Sequence, residues 1–404
     1  MMMNMMRPLC VAILGTSLLV SAQDTPNLRR GLSFSLDPKT VAVKDDHQES
    51  KSRRRRKFLS YQSSPWEQLW LDNVDAWAQD QSICDQLLGP QANLVHDFLN
   101  LTCTARYLPP HDNWCMVYDN FQPMWYNTAN RNMFDVVWED PLPKSAKLAF
   151  THQPVVPGRQ HEHLVSKFTF FDETTGEEYV EYIEPLVSGL RWPLAHCIET
   201  VPNKQGFLYR GVTHRGWIIP PPPSDRIDAA VYFDAGASDW NNGPGGPSLS
   251  FFVNVWKRHG IHFRDIYAFE METSAKDFYK TVPKSYQKTT HYQQCAVSSQ
   301  PQDDSEENPF IPQLIGRTAS PDDYVLFKLD IDSPRVENGN IDYILAHPEI
   351  HIDELFWEHH IRGNYLMTEW GNPGNTRNDD VSLRQSYEYF LRMRRGGIRA
   401  HSWI

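Results

Sequence analysis

The sequence lacks the features that mark several large classes of protein. Its formal net charge of -11 offers no basic excess to neutralise phosphates, which argues against a general nucleic-acid binder. The apolar run at residues 9–20 is short against the roughly 20 residues that a bilayer core requires. No internal repeat is present, which excludes a solenoid. We therefore expect a globular protein whose partners are small or neutral molecules.

Cysteine is also scarce, with six in 404 residues. No two of them form a C-x-x-C pair, and none shows a zinc-binding spacing with histidine, so no metal site is predicted from them. Disulfides are compatible with the sequence, and Cys103 with Cys115 would close the shortest loop. The pairing itself stays open, because spacing alone does not determine connectivity.

The first residues predict a route into the secretory pathway. A single Arg7 precedes the apolar run, and small residues follow at positions 21–22, so residues 1–22 are interpreted as a cleaved signal peptide. The alternative is an uncleaved single-span anchor, and only in that case do we expect the protein to be attached to a membrane. A sequon, Asn100-Leu101-Thr102, fits a secreted or lumenal glycoprotein.

Composition divides the remaining chain into three parts. Residues 23–64 are polar, include the basic run KSRRRRK at 51–57, and are predicted to be a disordered linker. Residues 65–219 begin with tryptophans and leucines at helical spacing, continue with short strand-like runs, and form a mixed α+β region of unassigned fold. The proline run IIPPPPSD, ending at Asp225, marks a boundary before residues 226–404.

Residues 226–404 alternate between apolar strand patterns and amphipathic helix patterns. The strands include AAVYFDAG, RDIYAFE, DYVLFKLDID and IDELFWEHH, and helices are predicted between and after them. Nearly continuous apolar strands are typical of a sheet that is covered on both faces. We therefore predict a Rossmann-like, mostly parallel sheet with helices on both faces.

Polar side chains stand where these four strands end. In an open parallel sheet, ligands bind beyond the carboxyl ends of the strands, so we expect these groups to meet at one edge. The edge would carry seven groups: Asp234, Glu270, Asp330, Asp332, Glu358, His359 and His360.

The turn after the first of these strands indicates which ligand the edge would hold. Gly236 permits a tight turn and close approach of a ligand. Ala237 and Ser238 have small side chains, which project little from this edge of the sheet. Glu270, at the end of the second strand, is placed to accept hydrogen bonds from two ribose hydroxyls. No G-x-G-x-x-G motif follows Asp234, which favours an adenosine ligand without phosphates, such as S-adenosylmethionine.

The motifs VYFDAGAS, IYAFE, DYVLFKLDID and ELFWEHH, in that order, resemble those of class I S-adenosylmethionine methyltransferases, nearest to the FkbM-like group. The terminal LRMRRGGIRAHSWI is similar to that fold's closing helix and last strand. The resemblance covers residues 226–404. It implies that Asp234, Gly236 and Ala237 line the methionine moiety and that Glu270 binds the ribose. It also implies that the acids of KLDID, Asp330 among them, face the cofactor or the substrate.

For such an enzyme we expect O-methylation of a small-molecule or glycan acceptor. Transfer to an oxygen requires alignment and a group that takes the acceptor's proton. His359 and His360 are the candidate bases, because an imidazole titrates near neutral pH, and Asp332 is the third candidate.

Two other functions use the same residues. A hydrophobic strand followed by Asp330-x-Asp332 also resembles the metal-binding motif of glycosyltransferases that use nucleotide sugars. A secreted binding protein that keeps the fold but lacks the chemistry is the third possibility, because extra residues lie between the first strand and its helix.

Overall fold

The computed structural model describes residues 56–78, 82–105, 157–187, 218–220, 229–241, 248–361 and 381–403. The predicted signal peptide and Cys115 lie outside the described residues, and Cys295 is a free thiol. Residues 51–404 form one compact unit. Across the described helices, none combines the length and the apolar character that a membrane crossing requires.

The front of the chain combines a small antiparallel sheet with helices. The sheet has three strands, with β2 in the centre and paired to both neighbours. Helix α1 begins at a Ser64 cap whose hydroxyl accepts a hydrogen bond from Glu67 N, and Pro65 occupies its first turn. The elements are β1 (Arg56–Gln62), α1 (Pro65–Trp77), α2 (Ser82–Leu88), α3 (Ala92–Ala105), β2 (Ser166–Asp172) and β3 (Glu177–Ile183).

This part of the structure corrects the end of the predicted linker. The linker was expected to run through residue 64, but Arg56–Gln62 forms strand β1, which pairs with β2. The strand begins with the last two residues of the basic run, which makes this part of the sequence resemble a linker. The sequon falls within helix α3. The predicted boundary before residue 226 touches residues 221–228, which lie outside the described residues.

The rest of the chain builds a six-stranded sheet in which every described pairing is parallel. This confirms the predicted Rossmann-like α/β fold. Numbered within this sheet, the strand order is 3-2-1-4-5-6, the order of dinucleotide-binding folds. The strands are β4 (Ala230–Ala235), β5 (Phe263–Glu270), β6 (Thr290–Gln294), β7 (Tyr324–Leu329), β8 (Glu354–Trp357) and β9 (Arg399–Ser402).

Helices cover both faces of the parallel sheet, as the apolar strands predicted. Phe356 and Trp357 are neighbours on β8, so their side chains point to opposite faces. Phe356 packs on Phe252 of α4, while Trp357 packs on Phe390 of α8. The helices are α4 (Ser248–Arg258), α5 (Ala275–Thr281), α6 (Ile311–Thr318), α7 (Pro334–Ala346) and α8 (Leu383–Arg395).

A set of buried charges joins the front elements to the parallel sheet. Arg394 of α8 contacts Glu67 of α1 at 3.0 Å, and Arg399 of β9 contacts Glu354 of β8 at 3.0 Å. His401 lies between two carboxylates, 2.6 Å from Glu184 and 2.5 Å from Glu354. These six residues, here called the buried ionic network, are Glu67, Glu184, Glu354, Arg394, Arg399 and His401.

Candidate functional site

The site lies at the carboxyl ends of β4 and β7. The chain order of the strands reverses between these two, and such a switch point is where open α/β sheets bind ligands. Gly236 turns the chain there with φ +88°, and a Cβ on it would lie 1.7 Å from the carbonyl oxygen of Asp330. The position therefore admits no side chain, and the backbones of the two loops touch.

Glu270 ties the turn after β4 to the end of β5. Its carboxylate accepts a hydrogen bond from Ser238 N at 3.2 Å and one from Glu272 N at 2.9 Å. Ser238 has a left-handed backbone with φ 51°, a conformation that side chains seldom adopt outside functional turns. Glu270, Gly236, Ala237 and Ser238 thus lie together, as the strand-end pattern predicted.

Asp234 lies beneath this turn rather than at the surface. It is fully buried and accepts hydrogen bonds from the hydroxyls of Tyr232 at 2.5 Å and Ser248 at 2.7 Å. Lys328 Nζ lies 3.4 Å from its other oxygen. Asp234 therefore fastens β4 to α4 and β7, which differs from the direct cofactor contact that the sequence suggested.

Lys328 is a residue of the site that the sequence interpretation missed. It is buried in the middle of the switch point, where its ammonium donates to the carbonyl oxygen of Gly236 at 2.8 Å. It also forms an ion pair with Asp330 at 3.0 Å, and Trp403 Nε1 donates to the same carboxylate oxygen. A lysine inside an otherwise apolar strand was the available signal, since lysine is almost never fully buried without a partner.

The second half of the site is a group of three side chains at the ends of β7 and β8. One ligand atom each from Asp332, Glu358 and His360 lies within 4.8 Å of the others. Asp332 is exposed, while the Glu358 and His360 side chains are more than nine-tenths buried. These three residues are called the rim triad below. The sequence predicted Asp332 and His360 as site residues and placed Glu358 at the same edge.

Glu337 of α7 lies directly behind the rim triad. Its Oε1 accepts hydrogen bonds from the backbone N–H groups of Ile331 and Ser333, the residues on either side of Asp332. Between them Asp332 has a left-handed backbone with φ 53°, so Glu337 holds the turn that presents Asp332. Burial raises the pKa of Glu337 to about 8.

Glu358, like Glu337, is buried beside other acidic residues. Burial, followed by the carboxylates of Asp330, Glu337 and Asp332, raises the pKa of Glu358 well above its ordinary value. Like charges in a poorly solvated place disfavour the ionised form, so Glu358 holds a proton more tightly than an exposed glutamate does.

His359 does not join the rim triad. Its ring stacks on Trp357 with centroids 3.8 Å apart, and its Nδ1 is 2.8 Å from the hydroxyl of Ser386 in α8. Burial lowers the pKa of His359 to about 3. The sequence allowed both histidines to act as the base. The structure corrects this prediction for His359, because the side chains of neighbouring residues after β8 point in opposite directions.

These features define an α/β protein of Rossmann-like topology with polar groups gathered at its switch point. Comparison of the chain with protein-family models, with curated proteins and with solved structures finds no match.

Proposed function

We propose that the protein is an S-adenosylmethionine-dependent methyltransferase that transfers a methyl group to an oxygen of a small-molecule or glycan acceptor. The observation that carries the proposal is the contact between Glu270 and the Gly236–Ser238 turn at the switch point. A glycine turn and an acid on the neighbouring strand are the two features by which this topology binds an adenosine ligand.

The residues around the switch point suit this ligand. Glu270 retains acceptor capacity, because each carboxylate oxygen has two lone pairs and accepts one backbone hydrogen bond here. The ribose hydroxyls would donate to it. Gly236 lets the turn after β4 pack directly against the backbone of Asp330, which sets the position of the turn that Glu270 holds. When bound, S-adenosylmethionine supplies a methyl group on a sulfonium cation.

The start of α4 favours a ligand without phosphates. A pyrophosphate is normally held by the N–H groups of a helix that opens directly after the glycine turn. Here α4 begins only at Ser248, and the Ser248 hydroxyl donates back to Asp234. This arrangement supports a nucleoside over a dinucleotide.

The rim triad lies on the acceptor side of the proposed site. It follows β7 and β8, whereas Glu270 follows β5 on the other side of β4. Asp332 and His360 are the groups that can receive a proton from an acceptor hydroxyl, because Asp332 is exposed and His360 lies beside it.

Calorimetric titration of the full chain with S-adenosylmethionine, in EDTA, tests the proposal. We expect saturable binding that weakens about 10- to 150-fold in Glu270→Gln, since a hydrogen bond to a charged group contributes about 1.5 to 3 kcal/mol. Glu272→Gln is the matched control, because its side chain is exposed two positions away. Equal affinity in the wild type and Glu270→Gln would remove Glu270 from the site, and no binding by the wild type would overturn the proposal.

The glycosyltransferase alternative predicts a different result in the same calorimetric titration. It requires Asp330 and Asp332 to share a metal ion, whereas Asp330 here is engaged by Lys328 and Trp403. A nucleotide sugar with Mn²⁺ that bound in place of S-adenosylmethionine would favour that alternative. Binding of neither ligand would favour a binding protein without catalytic chemistry.

A further inference from the structure

We propose that Asp332, Glu358 and His360 form a binding site for a divalent transition-metal ion of the Mn²⁺ type. The site differs from the Asp330–Asp332 pair of the glycosyltransferase motif, because Glu358 and His360 replace Asp330 as the partners of Asp332. It is also independent of S-adenosylmethionine, which would bind on the other side of β4.

The spacing of the rim triad fits an ion better than it fits hydrogen bonds. His360 Nε2 lies 3.8 Å from Asp332 Oδ1 and 3.9 Å from Glu358 Oε2, both beyond hydrogen-bond length. Ligands at about 2.1 Å from a metal ion lie roughly 3 to 3.5 Å from one another. Small side-chain rotations therefore bring all three donor atoms into a common coordination sphere.

The acidic neighbours of Glu358 favour a bound cation at this position. Its side chain is 9% exposed, and the carboxylates of Asp330, Glu337 and Asp332 surround it. Glu354, a buried carboxylate at the other end of β8, faces Arg399 and His401 instead. Buried acids are usually paired with cations or coordinate metal ions, and the rim triad supplies an imidazole in the right place for the second arrangement.

The ligand set indicates the kind of ion. Carboxylate oxygens suit Mg²⁺, Ca²⁺ and Mn²⁺, whereas imidazole suits later transition metals. Two carboxylates and one imidazole therefore favour Mn²⁺ over Mg²⁺. Glu337 lies 3.9 Å from His360 Nε2 and fixes the backbone on both sides of Asp332, so it is the positioning residue behind the ligands.

The metal ion would also define the class of acceptor, and this step rests on the proposed methyl transfer. Asp332 is 79% exposed, so the ion would face an incoming molecule on that side. A divalent ion lowers the pKa of an oxygen that binds it, and the Asp332 oxygen that does not bind the ion would take the proton of the acceptor hydroxyl. The acceptor would then be a hydroxyl compound with a second oxygen, such as a diol or hydroxy acid, able to bind the ion through both.

The experiment is a titration of the full chain with MnCl₂ alone, followed by the electron paramagnetic resonance signal of free Mn²⁺. We expect one saturable site, weakened at least about tenfold in Asp332→Asn. This variant is chosen because Asp332 is exposed and asparagine readily adopts its left-handed backbone. Glu358→Gln is the second variant, and circular dichroism checks that both fold.

Asp322→Asn is the matched control, since Asp322 is an exposed aspartate before the opposite end of β7. It should bind Mn²⁺ as the wild type does. Absence of saturable binding below about 1 mM, or unchanged binding in Asp332→Asn, would overturn the metal site. Because this titration contains no S-adenosylmethionine and the cofactor titration contains EDTA, failure of one proposal is distinguishable from failure of the other.

Discussion

Glu354 and Glu358 stand at the two ends of the short strand β8, and their surroundings are opposite. Glu354, which opens the strand, contacts Arg399 and His401 and accepts a hydrogen bond from Tyr324. Glu358, which follows the strand, has three acidic neighbours, and its nearest imidazole, that of His360, lies 3.9 Å away, beyond hydrogen-bond length. Both side chains are buried, so burial does not distinguish them.

The pKa shifts of the two glutamates have opposite directions. Burial alone would raise the pKa of Glu354, but Arg399 and His401 lower it below its ordinary value. For Glu358, burial and Asp330 act in the same direction and raise the pKa. The buried ionic network therefore holds paired charges that join elements together, whereas Glu358 holds its proton more tightly than an exposed glutamate does. We propose that this difference separates a structural role from a binding role.

The largest expected effect concerns the buried ionic network. Arg394→Met removes the guanidinium from Glu67 and should destabilise the protein by about 3 to 5 kcal/mol, because an unpaired buried carboxylate remains. Urea unfolding at neutral pH measures the change. Arg384→Met is the control on the same helix, since its pair with Asp75 is exposed and contributes about 0 to 1 kcal/mol. Similar losses in both variants would refute the distinction.

The next prediction compares the same change, glutamate to glutamine, at the two ends of β8. Glu354→Gln should destabilise the protein by about 3 kcal/mol, because Arg399 and His401 lose their shared carboxylate. Glu358→Gln should stabilise it by about 1 kcal/mol, since it relieves repulsion among buried acids. The measurement is urea unfolding at pH 8 with EDTA. Changes of the same sign would show that the two ends are electrostatically alike.

A smaller effect is expected for the cation at the switch point. Lys328→Met should lower the free energy of unfolding by about 2 kcal/mol, because Asp234 and Asp330 lose a common partner. Guanidinium unfolding measures it, with the exposed Lys276→Met as control. An unchanged midpoint would mean that Lys328 does not neutralise these acids.

The smallest effect is a pH dependence of stability at His351 and Asp353, next to Glu354 of the buried ionic network. Asp353 raises the pKa of His351, an imidazole that is 48% exposed. The resulting stabilisation is complete below the unfolded pKa near 6.5 and is lost as pH rises through the raised folded pKa. His351→Gln should therefore be less stable than the wild type by about 0.2 to 0.5 kcal/mol at pH 5.5, and equal to it at pH 9. Thermal unfolding at the two pH values checks this, and a deficit that grew toward pH 9 would contradict it.

The sequence predicted the parts of the fold that depend on local patterns. Apolar strands alternating with helices gave the parallel sheet, and polar residues after β4, β5, β7 and β8 marked its functional edge. Strand β6 was missed because THYQQ lacks the apolar residues of a central strand and lies at the sheet edge. Strand β1 was missed for a similar reason, since its arginine neighbours resemble a linker.

The pairing of charges could not be predicted, because the partners are distant in the chain. Lys328 and Gly236 are 92 residues apart, and Arg394 and Glu67 are 327 apart. Nor could the sequence separate His359 from His360. Only the direction in which each side chain leaves the chain after β8 places one against Trp357 and the other beside Asp332.

The most direct test of this account is a crystal of the full chain grown with S-adenosylhomocysteine and Mn²⁺, measured at a wavelength that gives anomalous signal from manganese. We expect adenosine density with its ribose against Glu270 and an anomalous peak among Asp332, Glu358 and His360. Adenosine bound elsewhere, or a rim triad whose side chains hold no manganese at saturating concentration, would contradict it.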